Sequence, residues 1–274
     1  MDGTDGKIGR DSLAADEALL FGAVRAAGTL ALSFFGRGLV GTHKADNSPV
    51  SEADYAVDKM LRERLTGERP NYGWLSEETV DNARRLDADQ VWIVDPIDGT
   101  RAFLAGTPEW TIAAALVDYG QPVLAAVYNP ATAEMFTARR GGGAFLNGMP
   151  ISVTPRDDIA ECRMIATKGF FKHKIWTEPW PNTQNIWFNS VAYRLALIAA
   201  GRADATLSLT GKSEWDLAAP ALLVQEARGK VTDATGAAIT FNQPNTRING
   251  LVAAAPALHD LLVARTRPVA AKEV

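Results

Sequence analysis

Cysteine is almost absent from the chain. Cys162 stands alone in 274 residues, which excludes an intrachain disulfide and any zinc site built on paired thiolates, and suits a reducing compartment. A packed, inert thiol is expected there. Histidine is scarce as well: His43, His173 and His259 are scattered and read as surface or core residues rather than as a nitrogen-rich metal site. Long uninterrupted apolar runs are missing. The most apolar early stretch, "FGAVRAAGTLALSFFG", contains Arg25 and is too short to span a bilayer, and no basic segment with a cleavage site precedes it, so a cytoplasmic location with no membrane partner is expected. No charge sign dominates either. Lys and Arg number 28 against 32 Asp and Glu, and the net charge of -4 is spread out, which gives no footprint for a nucleic-acid polymer and leaves small-molecule chemistry as the expectation.

A hydrophobic content of 47% is enough to bury a substantial core in one large domain or two intimately packed halves. Residues 12–150 read as an α+β half and 151–266 as an α/β half, with 1–11 and 267–274 as flexible tails. Helical spacing of Leu13, Leu19, Leu20, Val24 and Leu30 predicts a helix from Ser12 to about Phe35. Turn chemistry in "KADNSPVSEAD" sets up Ser51 as the cap of a second helix, with Asp54 in its first turn. "YGWLSEE" and "VWIV" read as strands, the second ending at Asp95. Two or three meander strands follow from Thr111, with Gly141–Gly143 as a turn between hairpin arms. Beyond Ile151 strands and helices alternate, which is α/β layering.

The chemistry concentrates in "VWIVDPIDGT", Val91 to Thr100. Pro96 biases Asp95 to an extended conformation, and Asp95 and Asp98 are left close together at a strand end. Like charges this near raise each other's pKa unless a cation neutralises them. No Lys or Arg lies within the segment, so a divalent metal is the natural candidate, and Mg²⁺ suits an all-oxygen ligand set. Gly99 and Thr100 can open a helix or tight turn whose N–H groups favour phosphate. The bland alternative is a plain turn, since every residue type here favours turns. Glu77-Glu78 at another strand end, Asp54, and Asp216 at the start of an apolar helix each have a bland reading too: a solvated pair, a first-turn helix carboxylate and a partner for the helix dipole.

Taken together and in order, "KADNSPVSEAD", "LSEE", "WIVDPIDGT", "SVAYRLALIAAGRADA" and "WDLAAPALLVQEARG" closely resemble the inositol monophosphatase family of metal-dependent, often lithium-inhibited phosphatases, over about Ala15 to Leu262. The resemblance implies a layered α/β/α/β/α sandwich of the inositol monophosphatase and fructose-1,6-bisphosphatase type, commonly a homodimer. It implies two or three Mg²⁺ per site, held by Glu77, Asp95, the Ile97 carbonyl, Asp98 and Asp216, with Asp95 bridging. Thr100, hydrogen-bonded to Asp54, would position and help deprotonate the attacking water. Gly99 and Thr100 would hold the phosphate, with Asp98 and Asp216 beside the substrate. Glu78, Lys44 and Ser190 are supporting candidates.

The expected substrate is a small phosphorylated metabolite. Inositol-specific members have a glutamate where this chain has Ser208; "EWD" is reminiscent of relatives acting on 3'-phosphoadenosine 5'-phosphate, and "KADNSPVSEAD" with "DPIDGTRAF" of relatives acting on histidinol phosphate. Asn189, Pro220 and Arg228 replace glycines common in the family. Trp176, Trp180 and Trp187 can stack on a purine or serve as core or dimer-interface residues. A catalytically silent relative that binds metal and phosphate for regulation is the alternative of another class, and it would have lost a ligand or the water-positioning pair; Asp54, Glu77, Asp95, Asp98, Thr100 and Asp216 are all present.

Overall fold

The computed structural model describes residues 10–39, 41–43, 49–167 and 169–270. Helix α1 (Arg10–Phe34) buries Leu20, Ala23, Val24, Ala27 and Ala31, which recur every one to four residues along one face. A short antiparallel pair, β1 (Thr42–His43) and β2 (Pro49–Val50), leads into α2 (Glu52–Glu68). Ser51 caps α2 as expected: its hydroxyl accepts the Ala53 N–H at 3.3 Å, and the Asp54 carboxylate accepts the Ser51 N–H at 2.8 Å. The buried face of α2 is Ala53, Val57, Leu61 and Leu65, four residues apart each time.

A seven-stranded sheet follows in chain order: β3 (Gly73–Ser76), β4 (Gln90–Asp98), β5 (Thr111–Asp118), β6 (Gln121–Asn129), β7 (Glu134–Arg139), β8 (Gly143–Leu146) and β9 (Met149–Ile151). Only β3 and β4 are parallel neighbours. The short helix α3 (Thr100–Leu104) sits between β4 and β5. The meander from Thr111 to Gly148 has four strands, more than the two or three expected, and Gly141–Gly143 makes the turn between β7 and β8. Gly141 and Gly143 adopt φ of 71° and 88°, which only glycine reaches without strain.

The second sheet is built from β10 (Arg163–Ile165), β11 (Gln184–Ile186), β12 (Ala205–Ser208), β14 (Lys230–Thr232) and β16 (Leu251–Ala254), in the order β11-β10-β12-β16-β14. β10 runs parallel to β11 and β12, and β16 antiparallel to both its neighbours. A separate pair joins β13 (Lys212–Ser213) to β15 (Arg247–Ile248). Interleaved are α4 (Val191–Ala199), α5 (Glu214–Glu226) and α6 (Pro256–Ala270). α1 and α6 extend into residues 10–11 and 267–270, which the sequence reading placed in the tails.

Alternation along the strands creates the layers. On β4, Trp92 and Val94 join the core beneath α1 and α2, whereas Val91 and Ile93 join the core beneath α4 and α5. On β16, Leu251 and Ala253 face that same central core, and Val252 and Ala254 pack with Leu258, Leu262 and Val263 of α6. The result is helix, sheet, helix, sheet, helix. α4 and α5 form the middle layer and are apolar all round, since each must bury itself against two sheets: Ala192–Ala199 and Leu217–Val224 are buried without interruption.

Ser12–Phe34 is long and apolar enough, by length and composition alone, to cross a membrane, contrary to the reading of its shorter apolar stretch; here its buried face lies on α2 and the first sheet. Leu61 is fully buried in that layer. Leu61→Ala should cost about 2–5 kcal/mol in urea-unfolding free energy through a poorly collapsible cavity between helix and sheet.

Candidate active site

β4 does not end at Asp95. Its ladder with β5 pairs Asp95 with Ala113 and resumes at Asp98 opposite Thr111, so three steps on β4 match two on β5. Pro96 has no N–H to give the ladder, and the bulge it occupies turns the chain while keeping both aspartates buried, at 1% and 7% exposure. Next to β4, the end of β3 brings in Glu77, whose N–H donates to the Val94 carbonyl at 3.3 Å.

α2 holds both acid-bearing turns. Asp54 accepts the Ser51 hydroxyl at 2.7 Å on one oxygen and the Thr100 hydroxyl at 3.2 Å on the other. One turn later Asp58 accepts the hydroxyls of Ser76 and of Thr79, the latter at 2.7 Å, and so ties down the chain on either side of Glu77 and Glu78. The spacing of four places both carboxylates on one helix face.

Gly99 makes the turn into α3 with φ 98°, and a Cβ there would lie 2.8 Å from the Glu109 carbonyl. Its carbonyl accepts the N–H groups of Ala102 and Phe103 at 2.8 and 3.1 Å. The Thr100 hydroxyl also reaches the Ile97 carbonyl at 3.2 Å.

The middle-layer helices deliver the rest. Ser190 caps α4: it accepts the Tyr193 N–H at 2.9 Å and donates to Asp98 Oδ2 at 2.7 Å, while the Ala192 N–H donates to the same oxygen. Asp216, in the first turn of α5, accepts the Ser213 N–H at 2.8 Å. The N-terminal ends of α3, α4 and α5 thus meet around the acids, where the positive ends of their dipoles are favourable.

A cavity of about 160 Å³ lies between these elements, lined by Pro49, Glu77, Asp95, Ile97, Asp98, Gly99, Thr100, Arg101, Asn189 and Asp216. Burial, reinforced by Glu77, Asp98, Asp216 and Glu78, drives the Asp95 carboxyl well above its usual range. Asp216 is pushed up to about 7 by burial and then by Asp98. Asp98 is raised by burial against the opposing hydrogen bonds of Ser190, Ala192 and Val191, and Asp54 by burial against those of Ser51. Arg194 and Lys212 stand near enough for Asp98 and Asp216 to act on both, although burial holds both cations below their ordinary values.

The residues fit a divalent metal. Asp95 Oδ1 is buried with no hydrogen-bond partner, and the acids lining the cavity with it, Glu77, Asp98 and Asp216, offer oxygen ligands. Among the described residues no three carboxylates, imidazoles or thiols are drawn together into a finished ligand shell. The groups that could hold an ion are Glu77, Asp95, the Ile97 carbonyl, Asp98 and Asp216.

Of the residues picked from the sequence, Asp54, Glu77, Asp95, Ile97, Asp98, Gly99, Thr100, Asp216 and Ser190 come together. Glu78 acts on Asp95 through its charge without lining the cavity, and Lys44 lies outside the described residues. Sequence reasoning missed Arg101, Arg194 and Lys212 and noted Asn189 only as a departure. The Val91–Thr100 segment has no basic residue, yet the fold supplies cations from the second half; a lone arginine within "AYRLALIAAG" was the available signal. Cys162 is buried, as expected of a packed thiol, and its Sγ contacts the Asp158 carbonyl at 3.0 Å. Glu214 of "EWD" accepts the N–H groups of Asn242 and Gln243 and is not among the cavity-lining residues.

Fold and site define a layered α/β/α/β/α protein with a buried, oxygen-rich acid cavity at helix N-termini. The model of the inositol monophosphatase family matches residues 13–270, and the chain belongs to that family. It is an enzyme, a phosphatase that hydrolyses phosphomonoesters. It is 39% identical over 196 residues to an inositol-1-monophosphatase of Rhizobium meliloti, covering 68% of this chain and 73% of that one. A histidinol-phosphatase of Chlorobaculum parvum is 34% identical over 227 residues, covering 77% and 82%. Among solved structures, the extragenic suppressor protein suhB of Bartonella henselae superposes with a TM-score of 0.80 at 29% identity, over 95% of this chain and all of that one.

With metal removed, repulsion among the cavity acids should be visible in stability. Asp216 stays charged in the unfolded chain down to about pH 4 but takes up its proton near 7 when folded, so its penalty is full above about pH 7 and fades as pH falls toward 4. In EDTA, Asp95→Asn and Asp216→Asn should therefore each melt higher than wild type at pH 8, by on the order of 1–3 kcal/mol, and the advantage should shrink at pH 5. The wild-type curve alone is a poor measure, because burial holds the His259 pKa below its usual range, so the unfolded chain binds that proton first as pH falls and the trend is opposed.

Proposed function

We propose that the chain is a Mg²⁺-dependent phosphomonoesterase that cleaves a small soluble phosphate ester of the inositol phosphate or 3'-phosphoadenosine 5'-phosphate type. The observation that most supports this reading is the buried Asp95 oxygen without a partner, set among Glu77, Asp98 and Asp216. Glu77, Asp95, the Ile97 carbonyl, Asp98 and Asp216 would hold two or three Mg²⁺, which supply an acidified water and neutralise charge on the leaving oxygen.

The chain's own groups do the remaining work. Thr100 Oγ1 orients the attacking water, and its hydrogen bond to Asp54 gives the water proton a route to a carboxylate whose basicity burial has raised. N–H groups of Gly99 and Thr100, at the start of α3, hold phosphate oxygens. The water oxygen bonds to phosphorus, the ester P–O bond breaks on the opposite side, and the alcohol leaves with a proton. Asp98 is fixed by Ser190 and the α4 N-terminus, and Asp216 by the Ser213 N–H, so both keep their orientation through the reaction. A histidinol-phosphate or sugar-phosphate substrate is the second reading, favoured by the similarity to the Chlorobaculum parvum histidinol-phosphatase.

Phosphate release from inositol 1-phosphate, 3'-phosphoadenosine 5'-phosphate, histidinol phosphate and fructose 1,6-bisphosphate tests the reading. At least one should be hydrolysed with Mg²⁺ and none with EDTA. No metal-dependent release from any of them would overturn it. Asp98→Asn and Asp216→Asn should abolish turnover while the protein stays folded by circular dichroism. Thr100→Ala should lower kcat by on the order of 10²-fold, in the range of a lost proton-transfer group.

A further inference from the structure

A second cavity, of about 260 Å³, opens between α2 and the connection from β3 to β4, and shares no lining residue with the acid cavity. Its charged lining is Arg62, Arg84 and Arg85, with no Asp or Glu, in a chain whose net charge is -4. Arg85 is already satisfied. It is 3% exposed and donates to the two Asp81 oxygens at 2.7 and 2.9 Å, to Asn242 Oδ1 at 2.7 Å and to the Gln243 carbonyl at 2.9 Å. These bonds anchor the single 3₁₀ turn, Ala83–Asp87, on which Arg84 stands. Arg62 and Arg84 differ from it: among the described residues neither guanidinium has a hydrogen bond or an ion pair.

The two cations belong to elements that the acid site needs in register. Arg62 is on α2, and Arg84 closes the connection that begins with Glu77 and Glu78. The near end of that connection is fastened to α2, because Asp58 accepts the hydroxyls of Ser76 and Thr79. Trp74, a wall of the cavity, adds to the same chain of bonds by donating from Nε1 to Thr79 Oγ1 at 3.2 Å. Arg62 follows Asp58 by four residues and so lies on the same face of α2, one turn along. Beyond Thr79 the fastening stops. Among the described residues no hydrogen bond returns from Val80–Arg84 to α2, and Val80 borders the cavity 92% exposed.

Two like charges lining one small cavity repel, and an anion that meets both converts the repulsion into a bridge. Guanidinium forks match phosphate oxygens, and Asn71 and Asn82 bring neutral amide groups to the same cavity. We propose that this cavity is an anion site that sets the order of the Glu77 turn: a small phosphate-bearing ligand with at least two negative charges bridges Arg62 and Arg84 and fastens the far end of the connection to α2, as Asp58 fastens the near end. Glu77 and Glu78 lie on the chain so restrained. The ligand is an effector and not the ester that is cleaved, so the proposal goes beyond the phosphatase reading.

Inorganic pyrophosphate is the probe, titrated by calorimetry in EDTA at pH 8 and constant ionic strength, where the metal-free acid cavity repels it. Wild type should show one saturable site. Arg62→Ala and Arg84→Ala should each bind at least about tenfold more weakly, in the range of lost charge-assisted hydrogen bonds, and Arg62→Lys should recover part of the loss. Both arginines are exposed, so these variants should melt as wild type does. Amide hydrogen exchange reads the coupling: pyrophosphate should slow exchange over residues 77–82 in wild type and leave it unchanged in Arg84→Ala. No saturable binding, or equal binding by wild type and both alanine variants, overturns the proposal, and so does binding that leaves exchange over 77–82 unchanged. Neither measurement involves Mg²⁺ or an ester, so the result is independent of whether any ester is hydrolysed.

Discussion

The molecule is organised around the repulsion between carboxylates that it brings together, Asp95 and Asp98 buried and Glu77 and Asp216 half-buried. Glu77, Asp95, Asp98 and Asp216 border one small cavity, and Asp95 keeps an oxygen there that no protein donor satisfies. In a low-dielectric site such a cluster is unfavourable in the protein alone, and the surroundings soften it without abolishing it. Three helix N-termini aim their dipoles at it. Ser190 and the Ala192 N–H donate to Asp98, and the Ser213 N–H to Asp216. Arg194 and Lys212 approach from the second half of the chain, with burial holding both cations below their ordinary values. What is left uncompensated is negative charge on oxygen, which is the chemistry a hard divalent cation completes.

This constraint explains why the middle layer is built as it is. α4 and α5 are packed between two sheets along most of their length, so the polar groups of their first turns, Arg194 and Asp216 among them, carry the chemistry, and both helices begin at the cavity. Their N-termini are set by serine caps, Ser190 and Ser213, and the same residues orient the acids. Capping and site geometry are therefore one set of hydrogen bonds. On the opposite side α2 plays the matching part: Asp54 reaches Thr100 and Asp58 reaches the turn holding Glu77, so a single helix registers β3 against β4 and α3.

Much of this was legible in the chain. The acids stand at places where local chemistry is strongly punctuated: Ser51 with Asp54, Asp-Pro-x-Asp-Gly-Thr, and an aspartate at the head of an apolar helix. The element order and the alternation of core residues were readable for the same reason, since period two and period three to four are properties of local sequence. The bulge was not. Pro96 signals an interrupted ladder, but whether β4 stops or resumes depends on Thr111 being available opposite Asp98, a tertiary fact. β11 was missed because three residues, Gln184–Ile186, show no periodicity. Arg194 was missed because nothing local says that a residue about a hundred positions from Asp95 and Asp98 will face the acids, and Lys212 because it lies on a separate two-residue strand before the helix that carries Asp216.

The same division separates chemistry from selectivity. Asp54, Asp98 and Asp216 are held at helix N-termini and Glu77 follows a strand end, and these devices are short-range and repeatable. The wall beyond Asn189 is different: Phe171, Asn185 and Trp187 come from the long connection around β11, and their positions follow from a four-ring aromatic cluster and one stacked arginine. Changing residues in that connection alters the shape of that wall without touching the hydrogen bonds that orient Asp98 and Asp216. Arg194 is the exception that links the two. It stacks on Trp187, donates to the Phe188 carbonyl and lies within the field of Asp98 and Asp216, so one guanidinium ties the orientation of Trp187 to the acids.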